Sequence, residues 1–307
     1  KLVKIQPKKD QKSLKNCLRK NENAEKDGDF SMNEREKDIK KWLCQLLDQT
    51  YLNAEAYKNF FVRVLPKQRK RTLGNYLEVE RVLEVSNLLR EPVEVMLTLI
   101  RLLAAHIVVV NREQFQEEEA KEKIVKELLG ELLKQGKISQ KEQTIMLGTG
   151  FLEEETALYG ELESWATDAK ETIYCTVVEN GFPIKMELHK LGYQWLKSRQ
   201  AWVKSYETQE AAEVAKGQLW ALSSEIEVSV ETPITCLFHF DYYLSVKPAE
   251  RYNETIVAFG YIYENYGFKK KFVKQVPVKD FSGERERLAR LEIPFELVVP
   301  KERQVIY

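Results

Sequence analysis

Glycine and proline are scarce, at 13 and 9 of 307 residues, and Lys and Glu are abundant, a mix that favours helix and short loops. Cysteine is rarer still. Cys17, Cys44, Cys175 and Cys236 lie far apart with no Cys-x-x-Cys pair, unlike the close spacing of a disulfide framework. They read as free thiols in a reducing compartment, the cytoplasm, or the nucleus if the source is eukaryotic. The sequon Asn253-Glu254-Thr255 would matter only outside the cytosol. Net charge is also lacking: 48 basic residues balance 48 acidic ones. That argues against a whole surface built to grip phosphate or an anionic membrane, and leaves room for a local basic patch.

The three histidines, His106, His189 and His239, are isolated from one another and from the cysteines, so no metal ligands are assigned. His106 lies in an apolar stretch and reads as a core histidine. No Gly-rich phosphate loop and no Gly-x-Ser-x-Gly nucleophile turn occurs, so no catalytic or cofactor-binding residue is assigned either. The longest apolar run, Val93 to Val110, contains Glu94, Arg101 and His106 and reads as a buried helix rather than a membrane span. The charged opening lacks the apolar region of a signal peptide.

What remains is ample for a folded chain. Hydrophobic residues make up 43% and charged residues 31%, and a chain this long buries about three-quarters of its unfolded surface. Residues 1–30, rich in Lys and Arg, read as a basic flexible leader. Ser31 and Glu34 form a capping-box pattern ahead of Ile39, Trp42, Leu43, Leu46 and Leu47, apolar at three- and four-residue spacing. The same spacing predicts a helix capped by Asn53 and ended by Pro66, and another carrying Leu73, Leu77, Val82, Leu88 and Leu89. Pro92 opens the apolar helix, and Asn111 caps the next one, with Leu128, Leu129, Leu132 and Leu133 inward and Gly136 closing it. Ser139 and Glu142 repeat the capping pattern, and a last helix spans about 152–168.

Near residue 170 the period changes. Residues 172–178 and 182–188 read as two strands joined by an Asn180-Gly181 turn with positive φ at both positions. A helix follows at 191–216, with Trp195, Trp202 and Tyr206 on one face. From Ser223 onward the pattern is sheet: Ile226, Val228 and Val230 alternate with polar residues, and 235–246, 255–263, 271–278 and 295–299 are further strands. Residues 284–291 make a helical turn or two. The echo between Glu171-Thr172-Ile173 and Glu254-Thr255-Ile256 reads as shared turn chemistry rather than duplication. The predicted fold class is α+β: a helical bundle over 31–170, then a β-rich domain over 171–307 formed by an antiparallel sheet or small sandwich.

Three functional readings compete. The favoured one is a non-enzymatic protein-interaction or regulatory module, because amphipathic helices and aromatic anchors suit a protein partner. The second is nucleic-acid binding through Lys67, Arg69, Lys70 and Arg71, which concentrate positive charge behind Pro66. Ala258-Phe259-Gly260-Tyr261-Ile262 adds to it. It partly matches the base-stacking strand of an RNA-recognition motif, although Val257 and Glu264 depart from that pattern and the helix order differs. The third is an enzyme of unfamiliar type around His239 and Asp241, placed on one side of a strand, where the carboxylate would orient the imidazole as a general base.

Overall fold

The computed structural model describes residues 32–67, 72–111, 117–266 and 269–298. Helix α1 (Glu34–Thr50) starts from Asn33, not from Ser31, which lies outside the described residues. The Asn33 side chain accepts from the Glu36 N–H, and the Glu36 carboxylate accepts in return from the Asn33 N–H, both at 2.9 Å. The second oxygen of Glu36 accepts from the Val64 N–H at 2.8 Å, so one buried carboxylate caps a helix and fixes a strand.

That strand is a departure from the expected helical bundle. The chain after α1 makes one 3-10 turn at Ala54–Tyr57 and then β1 (Phe61–Leu65), β2 (Gly74–Leu77) and β3 (Val82–Ser86). The sheet order is β1-β3-β2, with β1 parallel and β2 antiparallel to β3. Val82, Leu83 and Val85 are all buried, so β3 is covered on both faces. Such a strand reads as a continuous apolar run, and its spacing imitates a helix.

Helix α2 (Pro92–Val110) has Pro92 in its first turn and is buried on most sides. It is long and apolar enough to cross a membrane, yet it packs against β2, β3 and α3 (Glu117–Lys134). Asn111 ends α2, and the five residues between it and α3 lie outside the described ones. Gly136 closes α3 at φ +67. The capping box at Ser139 and Glu142 opens α4 (Gln140–Gly148), and α5 (Glu153–Tyr159) plus a 3-10 turn at Leu162–Trp165 replace the single helix expected at 152–168.

The described residues from Tyr174 onward fold as two units of one design. The first runs β4 (Tyr174–Glu179), α6 (Lys185–Lys190), β5 (Gln194–Leu196), β6 (Ala201–Tyr206), α7 (Gln209–Leu222), β7 (Glu227–Glu231). Helix α8 (Pro233–Leu237) follows. The second unit runs β8 (Asp241–Val246), α9 (Asn253–Ala258), β9 (Ile262–Tyr266), β10 (Lys269–Pro277), α10 (Phe281–Arg290), β11 (Phe295–Val298). The sheets are ordered β5-β6-β4-β7 and β9-β10-β8-β11, antiparallel throughout. Each is a β-α-β-β-α-β unit with the split β-α-β topology.

The likeness extends to registers and residues. Trp195, Trp202, Val178 and Val228 stand abreast in the first sheet, as Tyr263, Phe272, Val246 and Phe295 do in the second. Leu191-Gly192-Tyr193 corresponds to Phe259-Gly260-Tyr261. Both glycines sit at φ +82, both tyrosines are buried, and Lys204 and Lys274 lie over them at 5.9 and 5.6 Å. The echo that links the units is therefore not the Glu-Thr-Ile triplet, and it extends beyond turn chemistry.

Several expected elements change identity here. Phe182 to Lys190 is a 3-10 turn and a helix, not a second hairpin strand. Of the helix expected at 191–216 only the part from Gln209 is helical; before it lie β5, a turn and β6, and Trp195 and Trp202 face each other across the two strands. A spacing of seven puts two side chains together on a helix, and also across a tight hairpin. Residues 235–246 and 255–263 each begin as helix and end as strand. Asn180 takes the positive φ of +56. Gly181, at φ −74, is needed for space: a Cβ there would lie 2.8 Å from Leu188 Cδ1 and 2.9 Å from Trp202 Cδ1. Gly181→Ala should therefore cost about 1–3 kcal/mol in a urea melt, the usual range for overpacking. A loss below about 0.5 kcal/mol would mean that the Trp202 contact is loose.

Candidate functional site

Alternation along β4 sends Thr176 and Val178 to the side of α6 and α7, and Cys175 and Val177 to the other. That second side is already occupied. Cys236 of α8 packs on Val177 and Ala201, while Ile234 and Phe238 enter the core of the helix-rich part, where Phe238 meets Trp42 edge-on at 5.6 Å. The turn between β5 and β6 folds beneath the sheet. Its Arg199 grips Glu231 with two bonds of 2.6 and 2.7 Å and reaches Glu179 at 3.2 Å. Arg35 of α1 donates to the carbonyls of Ser198 and Leu237. The first unit is thus covered on this side, and its helix face and the edge strand β5 lie on the other.

That face carries apolar groups the fold does not need outside. Helix α6 is held by the inward Leu188 and Ile184. Phe182 and Met186, a helical turn apart, point outward at 61% and 58% exposure. One turn further, His189 stands edge-on to Trp202 at 4.5 Å, and Trp202 supports Trp195 at 5.3 Å. Trp195, on edge strand β5, remains 48% exposed. The Trp202 ring is buried, and its indole N–H finds no acceptor among the described residues. Lys185, which lies over Phe182 at 4.5 Å, and Lys190 put positive charge around the apolar centre. Lys204 is engaged with the Leu191 carbonyl at 2.7 Å. A centre of exposed rings and a methionine with a charged rim is the composition of a protein-docking surface.

The residues singled out in the sequence scatter. Lys67 is exposed just after β1, and Arg69, Lys70 and Arg71 lie outside the described residues, as does the leader at 1–30. The Phe-Gly-Tyr segment belongs to a unit whose element order does suit an RNA-recognition motif, contrary to expectation. It sits, however, where α9 joins β9 and not on a central strand. Tyr261 is core, and Phe259 caps α9, so no stacking stripe forms.

His239 precedes β8 instead of lying on it. Its Nε2 meets the Asp241 carboxylate at 3.0 Å, and Gln275 donates to the other oxygen at 3.2 Å. Burial favours a neutral Asp241, but the His239 contact, the Gln275 bond and the Arg35 charge together outweigh it and hold the carboxyl below its usual range. Among the described residues no hydroxyl or thiol bonds to His239. Cys236 is buried, and burial pushes its thiol up to about 12, which makes it a poor nucleophile. Cys44, Cys175 and Cys236 are free thiols, and among the described residues no three His, Cys, Asp or Glu side chains group as metal ligands.

Phe182, Lys185, Met186 and Lys190 escape a sequence reading because a six-residue helix is too short to show a period. The signal that would have found them is the Leu191-Gly192-Tyr193 and Phe259-Gly260-Tyr261 pair, from which the whole equivalence can be threaded. The chain has no match among protein-family models, curated proteins or solved structures.

Proposed function

We propose that this protein is a non-enzymatic interaction module that docks a protein partner on the α6–β5 face of its first β-α-β-β-α-β unit. The helix-rich part before residue 170 is the support. The observation that carries the reading is the exposure of Phe182, Met186 and Trp195 on the first unit, where His189 and Trp195 both lean on a buried Trp202 whose N–H finds no acceptor among the described residues. A partner covering these side chains gains roughly 25 cal/mol for each Å² of apolar surface removed from water. Trp195 has the rigid, supported ring typical of an anchor residue.

A photo-reactive residue at position 186, in the full chain and in its host cell, should form a protein adduct that Trp195→Ala abolishes. The same probe at Val79, which is exposed in the turn between β2 and β3, should form none. Equal labelling from both positions, or no adduct from position 186, removes the reading.

A further inference from the structure

The second unit supplies an internal control for the first. Positions required by the fold agree in the two: Leu188 with Ile256, Gly192 with Gly260, Tyr193 with Tyr261, Lys204 with Lys274. The outward positions of the short helix differ in a systematic way. Where the first unit has Phe182, Lys185, Met186 and Lys190, the second has Glu250, Asn253, Glu254 and Ala258. The edge-strand aromatic is kept: Tyr263 corresponds to Trp195, is 47% exposed against 48%, and leans on Phe272 at 5.2 Å. Val257 on α9 is also exposed. One chain therefore carries two equivalent faces. Both are apolar at the edge strand, one with two lysines on its helix and the other with Glu254 on its helix and Glu250 in the turn before it. Glu187 and Arg251 offset one charge on each face, leaving a net of one of either sign.

We propose that the protein associates with itself head to tail, the α6–β5 face of one copy meeting the α9–β9 face of the next. This rests on the reading of the α6–β5 face as a docking surface and names its occupant. Like faces repel: first on first opposes Lys185 and Lys190 with themselves, and second on second opposes Glu250 and Glu254. First on second pairs lysine with glutamate around stacked Trp195 and Tyr263. Rim charges select the register and the apolar centre supplies the affinity. Because the two faces differ, the contact is heterologous and propagates as a ring or an open chain.

Sedimentation equilibrium of the full chain at low salt should show a weight-average mass that rises with concentration beyond a dimer. Reversing one face (Lys185→Glu with Lys190→Glu) or the other (Glu250→Lys with Glu254→Lys) should weaken association about tenfold or more. Mixing the two reversed proteins should restore it, since each then carries what the other lacks. Circular dichroism of these surface variants verifies that they fold. A monomer at every concentration, or association indifferent to the reversals, overturns the proposal. If the native chain stays monomeric while position 186 still cross-links to a different protein, self-association fails and the docking face stands. If position 186 is unlabelled as well, both fail.

Discussion

Replacing Arg199 with methionine should destabilise the protein by about 3–5 kcal/mol, the usual result of leaving one member of a buried ion pair alone. The guanidinium side chain is 5% exposed and binds both oxygens of Glu231, which also accepts from Ser229 at 2.8 Å. Burial works against a charged Glu231, and the Arg199 bonds and charge, with smaller help from Ser229 and His239, together outweigh it, so the carboxyl titrates below its normal range. Without Arg199 that compensation disappears while the burial remains. The double variant Arg199→Met with Glu231→Met should recover most of the loss, because two apolar side chains of similar volume need no partner. Urea unfolding of the two single variants and the double one measures the coupling directly. Additive losses would show that the pair is not the clip beneath the first sheet.

The second large effect is a pH dependence. His106 is fully buried in α2, and its ring is satisfied on both sides. Nδ1 meets the Tyr76 hydroxyl at 2.8 Å, and Nε2 meets the Tyr57 carbonyl at 3.2 Å. A carbonyl can only accept, so Nε2 carries the proton and Nδ1 accepts from the tyrosine. Burial disfavours the imidazolium and, against the pull of the Tyr57 carbonyl, lowers the pKa to about 4. In the unfolded chain the ring takes up a proton near pH 6.5. The contribution of neutral His106 is therefore complete above that value and is lost as pH falls towards 4. The unfolded state binds more protons across the whole window. The expected loss is about 3 kcal/mol at 1.36 kcal/mol for each unit of pKa. His106→Gln keeps an acceptor and a donor but does not titrate, so its stability should fall less between pH 7 and pH 4.5. Parallel curves for the two proteins would contradict a neutral buried ring.

These two residues illustrate what can be read from the chain and what cannot. His106 was legible as a core residue because its neighbours in α2 are apolar on every side. The capping box at Ser139 and Glu142, Pro92 in the first turn of α2, and the alternation of Val228 with Glu231 were legible for the same reason: the physics acts within a few residues. Strand β3 was not, because a doubly buried strand loses the two-residue alternation. Trp195 and Trp202 were misplaced because the partner of a side chain in a short hairpin is set by a turn, here with Gln200 at φ +54, rather than by a period. His239 and Asp241 were paired in the sequence and do meet at 3.0 Å, though the strand expected from residue 235 begins only at Asp241 and leaves His239 ahead of it. The surface proposed for docking is built from a 3-10 turn, a six-residue helix and a three-residue strand. At that length the exposed and buried positions become visible only when the two units are laid over each other.

Radical footprinting of the protein in its native extract, compared with the dilute purified chain, tests the docking face most directly. Side chains covered by a partner are shielded from oxidation, and exposed ones elsewhere are not. Met186 and Trp195 should be modified far more slowly in the extract, with Leu158 and Val79, both exposed on the helix-rich part, unchanged. Equal modification of Met186 and Trp195 in the two samples would contradict the account.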